Sequence, residues 1–226
     1  MRDLLQYIVT QLPKYLVDFG AVLARPKTFI NGLDTQTDLI FKRSLLFLTF
    51  SLIVVIVMTA PLLRPGQDLW MYVGARAVGA VLCAVLGALV LRTCWWLVGG
   101  RAPMRSFFVT YAYFFSVGLV CFTLVSLLSE GVLKVLDPDL YQQVLEARMG
   151  KKPMPNVAAN AWGAISFAIL LAGYLALVAW TIIGWGAYRK LNGLSRARSL
   201  LAYLVMWILC VPATAVVYFV QAAITH

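Results

Sequence analysis

The chain has 226 residues, 62% of them hydrophobic and 12% charged, with a formal charge of +10. A soluble domain of this length carries roughly 45–50% apolar and about 25% charged residues, so the composition excludes a soluble globular protein and indicates an integral membrane protein. The excess cations flank apolar runs instead of forming one basic face, which argues against nucleic acid and points to topology and anionic lipid headgroups.

Residues 1–24 read as an amphipathic helix. Leu5, Ile8, Val9, Leu12, Leu16, Phe19 and Leu23 recur at helical spacing, with Arg2, Asp3, Gln11, Lys14 and Asp18 mostly on the other side. Such a helix either lies along the headgroups or docks its apolar stripe on the bundle or a partner, and both readings stand. The polar residues leave no uninterrupted apolar core for a cleavable signal peptide.

Residues 25–226 then read as one membrane domain. In "RPKTF", Pro26 disfavours helix at Arg25 and presets a new turn. Arg25 and Lys27 are candidate headgroup contacts, with Phe29 and Ile30 inserting beside them. A spanning helix needs roughly 20 mainly apolar residues. Five runs qualify, at about 44–63, 72–98, 107–128, 161–188 and 200–222. The expected fold is therefore an all-α polytopic bundle with five transmembrane helices. Between the third and fourth spans, Asp137 and Pro138 start a short external helix with Leu140 and Val144 on its apolar stripe, extended by Leu136 in register, and Gly150 is its expected cap.

Orientation follows from Lys and Arg placement. Arg2, Lys14, Arg25, Lys27, Lys42 and Arg43 precede the first span. Arg92, Arg101 and Arg105 border the second loop, and Arg189, Lys190, Arg196 and Arg198 border the last. These make thirteen of the 19 cations. The expectation is a cytoplasmic N-terminus and an external C-terminus. Trp70, Tyr72, Trp95, Trp96, Trp162, Trp185 and Tyr188 stand near span ends, where amphipathic rings are expected at headgroup depth.

Lipid gives helices little hydrophobic reason to associate, so small residues mark packing faces. In the second span Gly79, Cys83 and Gly87 repeat every four residues, as do Ala80, Ala84 and Ala88; the fourth span has Ala168, Ala172 and Ala176. No Asp or Glu lies inside a span, which weakens any reading as an ion-coupled transporter. Arg76 and Arg92 lie near span ends, where they can snorkel or meet a headgroup phosphate. Pro61 and Pro212 are candidate kinks.

Catalytic signatures are missing. The only histidine is His226, and Cys83, Cys94, Cys121 and Cys210 have no metal-ligand spacing and read as buried free thiols. No phosphate-binding glycine loop, HExxH or GxSxG is present. The expectation is a non-enzyme without cofactor, metal or catalytic residues.

Three stretches carry a family resemblance: "LARPKTFINGL" before the first span, "VGGRAPMRSFFVTYAY" at residues 98–113, and "YRKLNGLSRARSLLAYLV" at residues 188–205. Their order and spacing resemble the Yip1-domain family of membrane proteins, over about residues 22–222. The resemblance implies five spans and a membrane-trafficking or membrane-organising role. The N-terminal segment is shorter than in eukaryotic members and lacks their acidic, aromatic and Gly-rich tract, so a bacterial member without Rab binding is implied. The functional expectation is a non-catalytic scaffold, adaptor or membrane organiser with anionic lipids and another membrane protein, or a second copy, as partners. The alternative is a lipid or small-molecule transporter or scramblase subunit.

Overall fold

The computed structural model describes residues 2–60, 68–148, 152–157 and 160–225, with side chains described for all of these except 2–9, 148 and 217–225. Among the described residues the chain is all α-helical: α1 Arg2–Ala24, α2 Pro26–Asn31, α3 Asp38–Thr59, α4 Leu69–Leu97, α5 Met104–Leu136, α6 Pro138–Arg148, α7 Ala161–Asn192 and α8 Arg196–Thr225. Five of them, α3, α4, α5, α7 and α8, are long and apolar enough to cross a membrane. The chain is a multi-pass membrane protein on this architecture. The helices outrun the apolar runs that locate them. α3 begins six residues before position 44 and α5 extends eight residues beyond 128, because polar flanks continue the helix once it has nucleated. Pro61 and Gly150 lie outside the described residues, and Pro212 is accommodated within α8.

The chain divides into two compact units, Met1–Leu119 with Thr181–His226, and Val120–Trp180. In the smaller unit, Asp137 caps α6 as expected, accepting from the Leu140 backbone N–H at 2.9 Å. Leu140 and Val144 are buried, while Leu136 is exposed. Ser129 and Ser166 exchange hydrogen bonds with each other's hydroxyl and backbone carbonyl at 2.8–3.0 Å, joining α5 to α7. Gly173 makes room for Val125, whose side chain occupies the space a Cβ would need.

In the larger unit α4 packs principally on α8. Ala84, Ala88, Leu91 and Trp95 recur at steps of four, three and four and are all buried. The opposite face of α4 turns Val78, Val81, Val85 and Leu89 outward, as expected where the solvent is hydrocarbon.

The N-terminal helix departs from the expected division of its faces at Asp18, which was placed on the polar side. α1 docks on α3, and its inward side chains are Tyr15, Asp18 and Val22. Leu12, Leu16 and Leu23 of the apolar stripe face outward. Two specific contacts override the simple stripe. The Tyr15 hydroxyl meets Ser51 Oγ at 3.1 Å with its ring against Phe47 and Phe50. Asp18, assigned to the polar side, is 4% exposed and receives both Nε (2.7 Å) and Nη2 of Arg43. A bidentate guanidinium–carboxylate pair satisfies the buried charge on both partners.

Removing one partner leaves a charge stranded. Asp18→Ala should cost about 2 kcal/mol of stability, and the double change Asp18→Leu with Arg43→Leu should recover most of it. Thermal unfolding in detergent checks this; a double variant as unstable as the single would refute the pairing argument.

Candidate functional site

The three motif stretches come together at one end of the larger unit. They do so because both interhelical loops end in the same cap. α4 terminates with Gly99 at φ +94 and α7 with Gly193 at φ +62. In each, the glycine N–H returns to the helix (Gly99 to Trp96 O, 3.0 Å; Gly193 to Lys190 O, 3.1 Å). The following N–H reaches one residue further back (Gly100 to Trp95 O, 2.7 Å; Leu194 to Arg189 O, 3.3 Å). This paired pattern is the Schellman motif, and a left-handed residue there strongly favours glycine.

Asn192 joins the two loops. Its Nδ2 donates to Tyr188 O at 2.9 Å, and its Oδ1 accepts from the Ala102 N–H at 3.3 Å. Gly100 is what allows the approach: a Cβ there would lie 2.5 Å from Asn192 Oδ1 and 2.8 Å from Trp95 O. The third stretch arrives through α2. Pro26 occupies the first turn of α2 and is buried, and Phe29 meets Tyr113 edge to face at 5.1 Å. The α2–α3 connection closes the platform: Thr35 Oγ1 donates to Ser106 Oγ at 2.8 Å and Gln36 Nε2 also reaches Ser106.

Beneath the loops lies an aromatic cluster. Trp95 stacks on Trp185 (5.1 Å) and Tyr188 (6.5 Å), and Tyr188 also meets Phe107 and Phe114. Trp95 is wholly buried and Tyr188 is 4% exposed. The interfacial expectation therefore holds neither for Trp95 nor for Tyr188, whereas Trp96, Trp70 and Trp162 are exposed. The signal was present in the sequence. Trp95 continues the Ala84, Ala88 and Leu91 face, while Trp96, one residue on, points elsewhere. Gly184 supplies the space, since a Cβ there would sit 2.6 Å from Phe114 Cε1.

The cations fall into two groups. Arg43 is taken up by Asp18, and Arg105 by Asp38 at 2.5 Å with its guanidinium 5.2 Å from the Phe41 ring. Arg92 is half-buried over Phe107 at 5.8 Å, with Nη1 unpartnered, and Arg76 lies over Tyr72 at 5.4 Å. These four are committed to internal contacts. By contrast Arg25, Lys27, Lys42, Arg101, Lys190, Arg196 and Arg198 are exposed and Arg189 is half-buried. None of these eight has an ion-pair partner among the described residues. Arg198 Nη1 approaches Gly99 and so overhangs the loop that carries Arg101.

Two sizeable cavities open among the described residues of this unit. One, of about 410 Å³, runs between α7 and α8. Ile182, Trp185, Gly186 and Arg189 form one wall; Arg196, Ser199, Leu200 and Tyr203 form the other. Both sets follow i, i+3, i+4, i+7, one face of each helix. Trp185 Nε1 donates to Ser199 O (3.1 Å) and Oγ (3.0 Å), which ties the walls together at mid-depth. The second cavity, of about 390 Å³, lies among α4, α5 and α8 and includes Cys83, Gly87, Tyr111 and Cys210. The small-residue stripes thus divide: Gly79, Ala84 and Ala88 are buried, Ala80 is half-buried, and Cys83 and Gly87 border this cavity. The Tyr111 ring fills the space a Cβ on Gly87 would need.

No protein-family model matches the chain, and neither does any curated protein or solved structure.

The loop junction predicts an order of effects. Gly193→Ala, strained only by its backbone, should cost about 1 kcal/mol. Gly100→Ala should cost more, because its Cβ also collides with Asn192 and with the Trp95 carbonyl. Melting temperatures in detergent should fall in that order, and equal falls would count against the Asn192 bridge.

Proposed function

We propose that this chain is a non-catalytic membrane scaffold or adaptor of Yip1-like type, set in a bacterial inner membrane with its basic platform in the cytoplasm. The observation that supports this reading most is the platform itself. Three separate loop stretches are locked together by glycine caps and Asn192. They display Lys27, Arg101, Arg189, Lys190, Arg196 and Arg198 without carboxylate partners among the described residues. A rigid basic surface at the membrane plane suits anionic headgroups, each near-surface cation contributing on the order of 1 kcal/mol. It equally suits an acidic face of a partner protein, which it would orient and select. The cytoplasmic placement rests on the excess of Lys and Arg at this end. The Yip1-like reading rests on the three motif stretches, which are the ones that form the platform.

A photocrosslinking amino acid placed at Arg101 or Lys190 tests the scaffold role. In native membranes it should trap a discrete protein adduct, and the same partner or a second copy should co-purify in mild detergent. A strict monomer that yields lipid adducts alone would overturn the proposal.

The cavity among α4, α5 and α8 favours a second reading, in which the protein moves lipid or a small apolar molecule. Reconstituted liposomes carrying a fluorescent phospholipid distinguish it. Transfer above that of empty vesicles would support movement, and none with correctly inserted protein would remove it.

A further inference from the structure

We infer that the α7–α8 groove is a binding site for one anionic glycerophospholipid, its phosphate held by Lys27, Arg189 and Arg196 and one acyl chain lying along Trp185 and Tyr203. The inference rests on the preceding reading only for the leaflet that supplies the lipid.

The chemistry of the groove changes along its length. Arg189 and Arg196 face each other at the loop end, from the last turn of α7 and the first turn of α8. Lys27 comes from α2 to stand beside Gly186, one of the residues that line the groove. Its Cδ, Cε and Nζ lie 3.3, 3.5 and 3.8 Å from where a Cβ on Gly186 would be, so the lysine stem runs within van der Waals reach of that wall. All three side chains are donors only, and none has an ion-pair partner among the described residues. The N-terminus of α8 and the C-terminus of α7 meet at this end with opposite partial charges, so the positive potential there is that of the side chains. Nearby cations carry no such opening: Arg43 and Arg105 have their carboxylates and Arg92 its ring.

Below the cations the walls become apolar and aromatic. From Arg189 to Ile182 is seven residues of helix, a depth of about 10 Å. At mid-depth the Trp185 indole N–H is already bound to Ser199, and the Tyr203 hydroxyl is the further polar group on the wall. At about 410 Å³ it lies within the roughly 300–1,000 Å³ of small-molecule sites. Its rim is itself apolar: Ile182 is 56% and Leu200 62% exposed, both on spanning helices.

That combination selects the occupant. A free phosphate would satisfy the cations and leave the apolar slot empty. An acidic peptide entering at this depth would carry backbone N–H and C=O groups into hydrocarbon unpaired. A phospholipid places its charge among the three cations and its chain in the slot, entering sideways from the bilayer.

The test uses the full chain in detergent, by native mass spectrometry with added phosphatidylglycerol or phosphatidylcholine. The unsubstituted protein should retain one phosphatidylglycerol in preference to phosphatidylcholine. Lys27→Gln with Arg189→Gln and Arg196→Gln should weaken that retention by about tenfold or more. A charge-matched control, Arg101→Gln with Lys190→Gln and Arg198→Gln, should change it less than about threefold. Equal loss in both triple variants would reduce the effect to diffuse charge and overturn the site, as would equal retention of phosphatidylcholine. Displacement of the lipid by millimolar inorganic phosphate would overturn the acyl-chain contact. A second measurement needs no variant: phosphatidylglycerol with a photoreactive acyl chain should label the segment from Ile182 to Tyr203, and labelling confined to other helices would refute the groove.

Discussion

A helix bundle in lipid cannot rely on hydrophobic burial to hold its members together, because the surrounding solvent is as apolar as the side chains. The larger unit meets this constraint at its loops. Both interhelical turns at the basic end finish in a left-handed glycine, and Asn192 bonds across from one to the other. Gly100 has no side chain because Asn192 occupies that space. Two separately capped helix pairs thereby become one platform, and the aromatic cluster of Trp95, Tyr188 and Phe107 packs directly beneath it. The same device recurs elsewhere: Gly184 admits Phe114 and Gly87 admits Tyr111. Close approach through missing side chains supplies the van der Waals contact that burial supplies in water.

The positive charge is sorted rather than spread. A lone guanidinium away from water needs a counter-charge or a ring face. Arg43 and Arg105 have the first and Arg92 has the second. Among the cations that remain, Lys27, Arg101, Lys190, Arg196 and Arg198 are exposed and gathered on the loop platform, a concentration of charge that the overall +10 does not reveal. Acidic residues enforce the sorting. Asp18 and Asp38 lie on the N-terminal side of the platform, so the α7–α8 side keeps its cations unneutralised.

Five spanning runs were legible because 20 apolar residues in sequence have few other uses. The Asp137 cap was legible because its chemistry is local. Which side of α1 docks was not legible, for the opposite reason. Its apolar side chains do form a stripe, but the helix is oriented by Tyr15 and Asp18, whose partners Ser51 and Arg43 lie on α3. A periodicity argument weighs side chains by hydrophobicity and has no term for a partner distant in sequence. The cations suffered the same blindness. Arg43 and Arg189 look alike in the sequence, and only the fold shows that one faces a carboxylate and the other a groove.

The correction to α1 bears on the groove. Because Asp18 clamps α1 to α3, the chain leaves α1 at a fixed place and direction. Pro26 then starts α2 at once, having shed a backbone donor that the first helical turn does not use. Phe29 anchors α2 on Tyr113, and the short helix carries Lys27 onto the bare backbone of Gly186. The third cation of the groove is thus positioned by contacts made on other helices. An N-terminal segment that merely floated on headgroups would leave Lys27 free among lipids at random. Docked as it is, α1 keeps the exposed Lys27 beside the α7–α8 groove, while Leu12 and Leu16 on its outer face remain turned toward the surroundings.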